Sequence, residues 1–300
     1  MMTNLPACAV HDDALLERDL AKTAILTIGD STAAAVLGHV CEAYSSKPRV
    51  FVEGVQHAPK YRHRCDNLDN HFCRLPGQIA FGSFSHYGAT GPPYWAYAYP
   101  LVPWLAKTTL GMVAKDIPVF RHKTAGGEDP LLIVANSGFW DLSAWWMHEG
   151  NWSRQWAVPD RYAGDYVAAV ERLVEALRAR FPSSTVVWRL MHPGSKHSIT
   201  PRIVRHFNNA VRSIAPRLGL PLFDTEQMVR QLNPKVAPRL GNEDPEARDL
   251  YGTTDGRHLH AFVDLAIFNV ILNMARHVRG WQAGAGDRAN SGLTEGDSRV

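Results

Sequence analysis

Two short stretches carry residue types that can do chemistry together, although they lie far apart in the chain: Gly29-Asp30-Ser31, and "TTDGRHLH" at residues 253–260. A serine hydroxyl is a weak nucleophile until a base removes its proton. His258 offers an imidazole, and Asp255, three residues earlier, lets one turn of chain present a carboxylate beside it. The carboxylate can hold the ring's Nδ1–H and leave Nε2 to take the serine proton. His260 is the alternative base. Ser31 sits where the apolar run "AILTI" stops and the alanine-rich pattern "TAAAVLGHVCEAY" begins. At such a strand-to-helix turn a hydroxyl lies beside unpaired backbone N–H groups and the positive end of the helix dipole. Those donors can stabilise an oxyanion forming next to it. Gly29 permits a tight turn, and Asp30 ties down its backbone or caps the helix. A mere N-cap role for Asp30 or Ser31 is the structural alternative.

Two more residues bear on an oxyanion. Asn136 follows the run "PLLIVA" and could donate its side-chain amide. Gly88, in "HYGATG", could donate its backbone N–H, with Gly82 or Gly91 able to take its place. Each alone reads equally well as an ordinary turn residue.

These groups need elements that bring them together. Short apolar runs at 23–28, 49–55, 78–88, 130–136, 184–191 and 220–225 read as strands. Between them, 32–44, 160–181, 199–219 and 260–278 carry helical periodicity, with Pro182 and Gly219 as stops. The segment carrying Cys65 and Cys73 reads as a polar loop, and 94–122 is aromatic and interrupted by proline, without a clean assignment. Alternating strands and helices predict a mainly parallel sheet covered on both faces, a three-layer α/β/α sandwich. Ligands of such sheets bind beyond the carboxyl ends of the strands, which is where Ser31, Gly88 and Asn136 fall. Residues 22–280 read as one domain, 1–21 as a polar peripheral segment, and 281–300, rich in Gly, Asp and Ser, as a disordered tail.

Taken in order, Ser31, Gly88, Asn136 and Asp255 with His258 resemble the four blocks of the SGNH (GDSL-like) hydrolase superfamily. "VANSGFWDLSAWW", "TTDGRHLH" and "VVWRLMHPG" are similar to segments of its PC-esterase branch. The resemblance spans residues 23 to about 275. It implies a flavodoxin-like α/β/α fold and a metal-free, acyl-enzyme mechanism without cofactor. Ser31, Asp255 and His258 would form the triad, and the N–H of Ser31, the N–H of Gly88 and the Asn136 amide the oxyanion hole. The chain departs from the pattern at Thr32, where a leucine is usual, and at Asp141, which is displaced downstream.

Composition narrows the partners. The 32 basic and 29 acidic residues nearly cancel, which argues against nucleic acid. No apolar run reads as a membrane span and the N-terminus does not read as a leader, so a soluble chain is expected. Four cysteines are too few for a disulfide scaffold. A local Cys65–Cys73 bridge, or free thiols, is expected, with Cys41 a buried apolar residue. His63, Cys65, His71 and Cys73 are metal-binding types, but their spacing is no familiar finger and no metal is expected. The aromatics around Tyr94 and Trp95, together with Trp140, Asp141 and Arg189, are candidate substrate contacts; His192 shares with Arg189 the choice between substrate and surface. The expected activity is a serine-dependent esterase acting on a small-molecule or carbohydrate ester, the O-acetyl group coming from the resemblance. A carbohydrate O-acyltransferase would use the same triad, and an inactive carbohydrate-binding module would keep only the fold.

Overall fold

The computed structural model describes residues 13–52, 70–86, 88–90, 110, 117–124, 127–148, 160–194, 200–232 and 257–291. In chain order the elements are α1 (Asp13–Leu20), β1 (Ala24–Gly29), α2 (Ser31–Ala43), β2 (Arg49–Val52), β3 (Asn70–Leu75), β4 (Ile79–Ser85), α3 (Ile117–Thr124) and β5 (Leu132–Ala135). They continue with α4 (Phe139–His148), α5 (Asp160–Arg180), β6 (Thr185–Arg189), α6 (Pro201–Leu218), β7 (Leu222–Phe223), α7 (Thr225–Leu232) and α8 (Ala261–Ser291).

Every residue of β1 is buried, the pattern of a strand covered on both faces. It pairs in parallel with β4 on one side and β5 on the other. β6 and β7 continue the parallel array. β3 and β2 extend the opposite side antiparallel, giving the order β2-β3-β4-β1-β5-β6-β7. The chain runs from β1 out to β4 and returns across β1 to β5. Strand order therefore reverses between β1 and β5, the crevice where α/β sheets bind ligands. Ser31 and Asn136 follow these two strands.

Helices cover both faces, as the expected sandwich requires. On one side the core gathers Phe120 of α3, Trp145 of α4, Tyr166 of α5 and Phe207 of α6. The Trp145 ring stacks on Phe207 at 5.3 Å and on Tyr162 at 5.0 Å. On the other side Val36 and Val40 of α2 meet Ile267, Phe268 and Leu272 of α8, with Val229 of α7 and Leu20 of α1.

Several expectations change. The segment holding Cys73 is a strand, β3, rather than a loop. Residues 13–20, part of the stretch read as polar and peripheral, form α1, with Leu20 fully buried and Asp19 paired with Arg276 of α8. The terminal helix runs on to Ser291, into the stretch read as a tail. Its first part, Ala261–Gly280, is long and apolar enough to cross a membrane, contrary to the sequence reading. Its apolar stripe is spent inside the molecule, against the sheet and α2. Cys73 bonds to Cys41 of α2, with Cα atoms 5.9 Å apart, not to Cys65, which lies outside the described residues. Cys73 is therefore unavailable to the His-Cys metal set, and His63 is also outside the described residues. No cluster of metal-ligand side chains occurs among the described residues.

Candidate active site

Ser31 is the first residue of α2 and Asp30 is its N-cap. Asp30 Oδ1 accepts from Thr32 N at 2.9 Å and from Thr32 Oγ1 at 2.6 Å. The Asp30 carbonyl accepts from the amides of Ala33 and Ala34. Among the described residues, Ser31 N–H is thus the amide of this first turn left without an acceptor. Gly29 serves by size: a Cβ there would lie 2.8 Å from Ala33 Cβ and 3.0 Å from Asn136 Oδ1.

His258 Nε2 stands 2.8 Å from Ser31 Oγ. Folding thus brings the hydroxyl and the imidazole together across 227 positions. His260, the alternative base, stacks instead beside Phe262, and its carbonyl accepts from Val263 and Asp264 at the start of α8. Asp255 lies outside the described residues, as do Tyr94, Trp95 and Gly91.

The arm carrying His258 is held at the residue before it. The Arg257 carbonyl accepts from His192 Nε2 at 2.6 Å. The Arg257 guanidinium lies over the Trp140 ring at 5.7 Å and donates to Ser143 Oγ at 3.3 Å. His192 is only 2% exposed and meets Phe139 edge-on, so it does not sit on the surface, and it does not line the cleft. Burial lowers its pKa to about 4, which keeps the ring neutral.

Arg189 also departs from its expected role. It is 3% exposed beneath the Ser31 turn and does not line the cleft beside Ser31. Its Nη2 donates to Thr32 Oγ1 at 2.8 Å and to Asn136 Oδ1 at 3.3 Å. Burial pushes the guanidinium below its ordinary pKa, while Asp30 and Asp264 push it back up. The unusual Thr32 therefore has a function: its hydroxyl links the N-cap carboxylate to a buried cation.

Asn136 Nδ2 donates to the Arg189 carbonyl at 3.2 Å, which orients the amide. Gly88 adopts φ +107°, a conformation that favours glycine. Its N–H donates to His86 Nδ1 at 3.1 Å, and His86 Nε2 then donates to the Asn136 carbonyl at 2.8 Å. The Gly88 N–H is thus occupied by the loop itself. Gly82 is a packing glycine, since a Cβ would strike the Phe120 ring at 2.3 Å.

Asp141 is wholly buried and does not line the cleft either. It accepts from Ala89 N at 3.1 Å, Thr90 N at 3.0 Å and Ser137 Oγ at 2.8 Å, lashing the glycine loop to the start of α4. Trp140, by contrast, lines the cleft of about 560 Å³ that opens at Ser31 and His258. Sequence reading missed His86, and for His192 it offered substrate or surface rather than its place behind the His258 arm. Each stands just after a strand, but strand-end position alone does not separate them from surface histidines.

No family model matches the chain, and no curated protein matches it. Among solved structures it is similar to the acetyl xylan esterase AlAXEase, at 15% identity over 87% of this chain and 98% of that one, with TM-score 0.40. It is similar to an acetylxylan esterase from Geobacillus stearothermophilus at 13% identity over 87% and 95%, TM-score 0.41. It is similar, too, to a protein of Parabacteroides merdae ATCC 43184 named as a GDSL-like lipase, at 14% identity over 87% and 96%, TM-score 0.44. These identities are too low to carry residue roles across.

Proposed function

We propose that the protein is a serine-dependent esterase with Ser31 as nucleophile and His258 as base. The 2.8 Å contact between Ser31 Oγ and His258 Nε2, at the mouth of a cleft beyond the sheet's switch point, carries this reading. In the first half-reaction Ser31 Oγ attacks the ester carbonyl carbon and its proton passes to His258 Nε2. The tetrahedral intermediate collapses, the bond to the alcohol oxygen breaks, and His258 returns the proton to that oxygen. Water, deprotonated by the same Nε2, then attacks the acyl-Ser31 carbonyl; the bond from the acyl carbon to Oγ breaks, His258 returns the proton to Ser31 Oγ, and the acid leaves. A ring that accepts at Nε2 carries its proton on Nδ1, and Asp255 is proposed as the acceptor there. The free Ser31 N–H and the remaining hydrogen of Asn136 Nδ2 are proposed oxyanion donors. Gly88 joins them only if its bond to His86 opens. The resemblance to PC-esterases suggests a small acyl group on a carbohydrate as the substrate class.

A fluorophosphonate probe followed by peptide mapping tests this. Modification is expected at Ser31 and lost in His258→Ala. Ser31→Ala is expected to lower kcat on p-nitrophenyl acetate by at least about a thousandfold with the fold retained. An unlabelled wild type with no turnover above background would leave a binding module as the better reading.

A further inference from the structure

The cleft does not end at Ser31. It continues along α2, past Ala34 and Gly38 to His39, and His71 of β3 and Ser83 of β4 line it as well. By helix geometry Gly38 lies about 10 Å along the axis from Ser31. Ser83 is 2% exposed and its Oγ is buried with no hydrogen-bond partner. Gly82 next to it turns toward Phe120 on the other face of the sheet, which leaves Ser83 on the α2 side. His39 is fixed by a 2.8 Å bond from Nδ1 to Asp264, whose carboxylate burial holds protonatable up to about pH 6.

Resting on the esterase reading, we infer that this extension of the cleft binds the alcohol portion of the ester, and that this portion is hydroxyl-rich and extended. An unsatisfied buried hydroxyl costs free energy until a ligand pairs with it. A fatty chain would leave Ser83 unpaired and strip water from His39, His71 and Glu42, so an apolar occupant is disfavoured. An anionic one lacks a counter-charge, because no lysine or arginine lines the cleft among the described residues. Sugar hydroxyls both donate and accept, matching serine and imidazole, and their C–H faces suit the small apolar floor of Ala34 and Gly38. The His39–Asp264 pair therefore acts in recognition, two helical turns from the reacting carbonyl.

Gly38 supplies the test. A Cβ there meets nothing within 4 Å, so Gly38→Leu fits the fold and improves helix propensity while filling the cleft. The substrates compared are p-nitrophenyl acetate and partially acetylated cellotetraose. Gly38→Leu is expected to raise KM for the tetraose ester at least about tenfold, while turnover of p-nitrophenyl acetate stays within about twofold. Ser83→Ala is expected to weaken the tetraose ester in the same sense without lowering Tm, since its hydroxyl has no partner in the free protein. An unchanged KM for the tetraose ester in both variants overturns the subsite. Calorimetric binding of unmodified cellotetraose to Ser31→Ala separates the two readings. Binding that Gly38→Leu abolishes supports the subsite even if the esterase reading fails, and no binding refutes it even if p-nitrophenyl acetate is turned over.

Discussion

Ser31 and His258 meet at hydrogen-bond distance, yet the chain fixes them by different means. The Ser31 turn hangs from β1, which is bonded along both edges, and is closed by its own N-cap and by Arg189 beneath it. The His258 arm enters from the far end of the chain and is pinned through its neighbour Arg257, by His192 at the carbonyl and by Ser143 and Trp140 at the guanidinium. One position is built into the sheet and the other is assembled from side chains. Damage to the first should therefore cost stability, and damage to the second should fall more on turnover.

The strongest test of that contrast is Arg189→Met. It takes from Thr32 Oγ1 and Asn136 Oδ1 their buried donor and from Asp30 a nearby positive charge, and urea unfolding is expected to show a loss of about 3–5 kcal/mol. Asp30→Asn in the same background should recover part of the loss, because the orphaned charge is gone. Next is the bridge between α2 and β3. Replacing both Cys41 and Cys73 with alanine is expected to cost about 3–4 kcal/mol in guanidinium unfolding, the chain-entropy value for a 32-residue separation. His192→Leu sits on the other side of the comparison. It should cost only about 1–3 kcal/mol, the price of a buried carbonyl left unpaired. It should also lower kcat on p-nitrophenyl acetate with little change in KM; a variant that only lost stability would break the contrast.

The smallest effect is a slope in pH. His192 titrates near 4 when folded and near 6.5 when unfolded, so its contribution is present above about pH 6.5 and is lost as pH falls toward 4. Asp264 has the opposite sign. Its folded value, about 6, lies above the ordinary 3.8, so its contribution is present below 3.8 and is lost as pH rises through 6. The two oppose each other in the wild type. In His192→Leu nothing from position 192 opposes the Asp264 slope, and urea unfolding at several pH values between about 5 and 6, above the range in which Asp19 and Glu226 titrate, should show stability falling as pH rises.

The Ser31 side was also the more legible in sequence. A fully apolar strand, a Gly-Asp-Ser turn and an alanine-rich helix are local patterns, and β1, the N-cap and α2 follow from them. The same holds for β5 and Asn136, and for α5 and α6. His258 could be chosen over His260 because Asp255 and His258 match the Asp-x-x-His block that the sequence resembles. What stayed hidden depends on partners distant in sequence. Arg189 and Asp141 read as substrate contacts because charged residues at sheet ends are usually exposed. Only the tertiary structure shows the Ser31 turn over the one and the 88–90 loop around the other. β3 escaped because its polar residues break the alternation of a strand, and its pairing with β4 is what makes it one. The Cys41–Cys73 bond likewise joins a helix to a strand that had not been recognised.

That bond has a consequence for how the protein survives nicking. Any single peptide break between Cys41 and Cys73 yields two fragments that stay covalently joined, so the helix that begins with Ser31 cannot drift from the strand beside the cleft. Such a clipped molecule would migrate as one band on a non-reducing gel and separate into two after reduction.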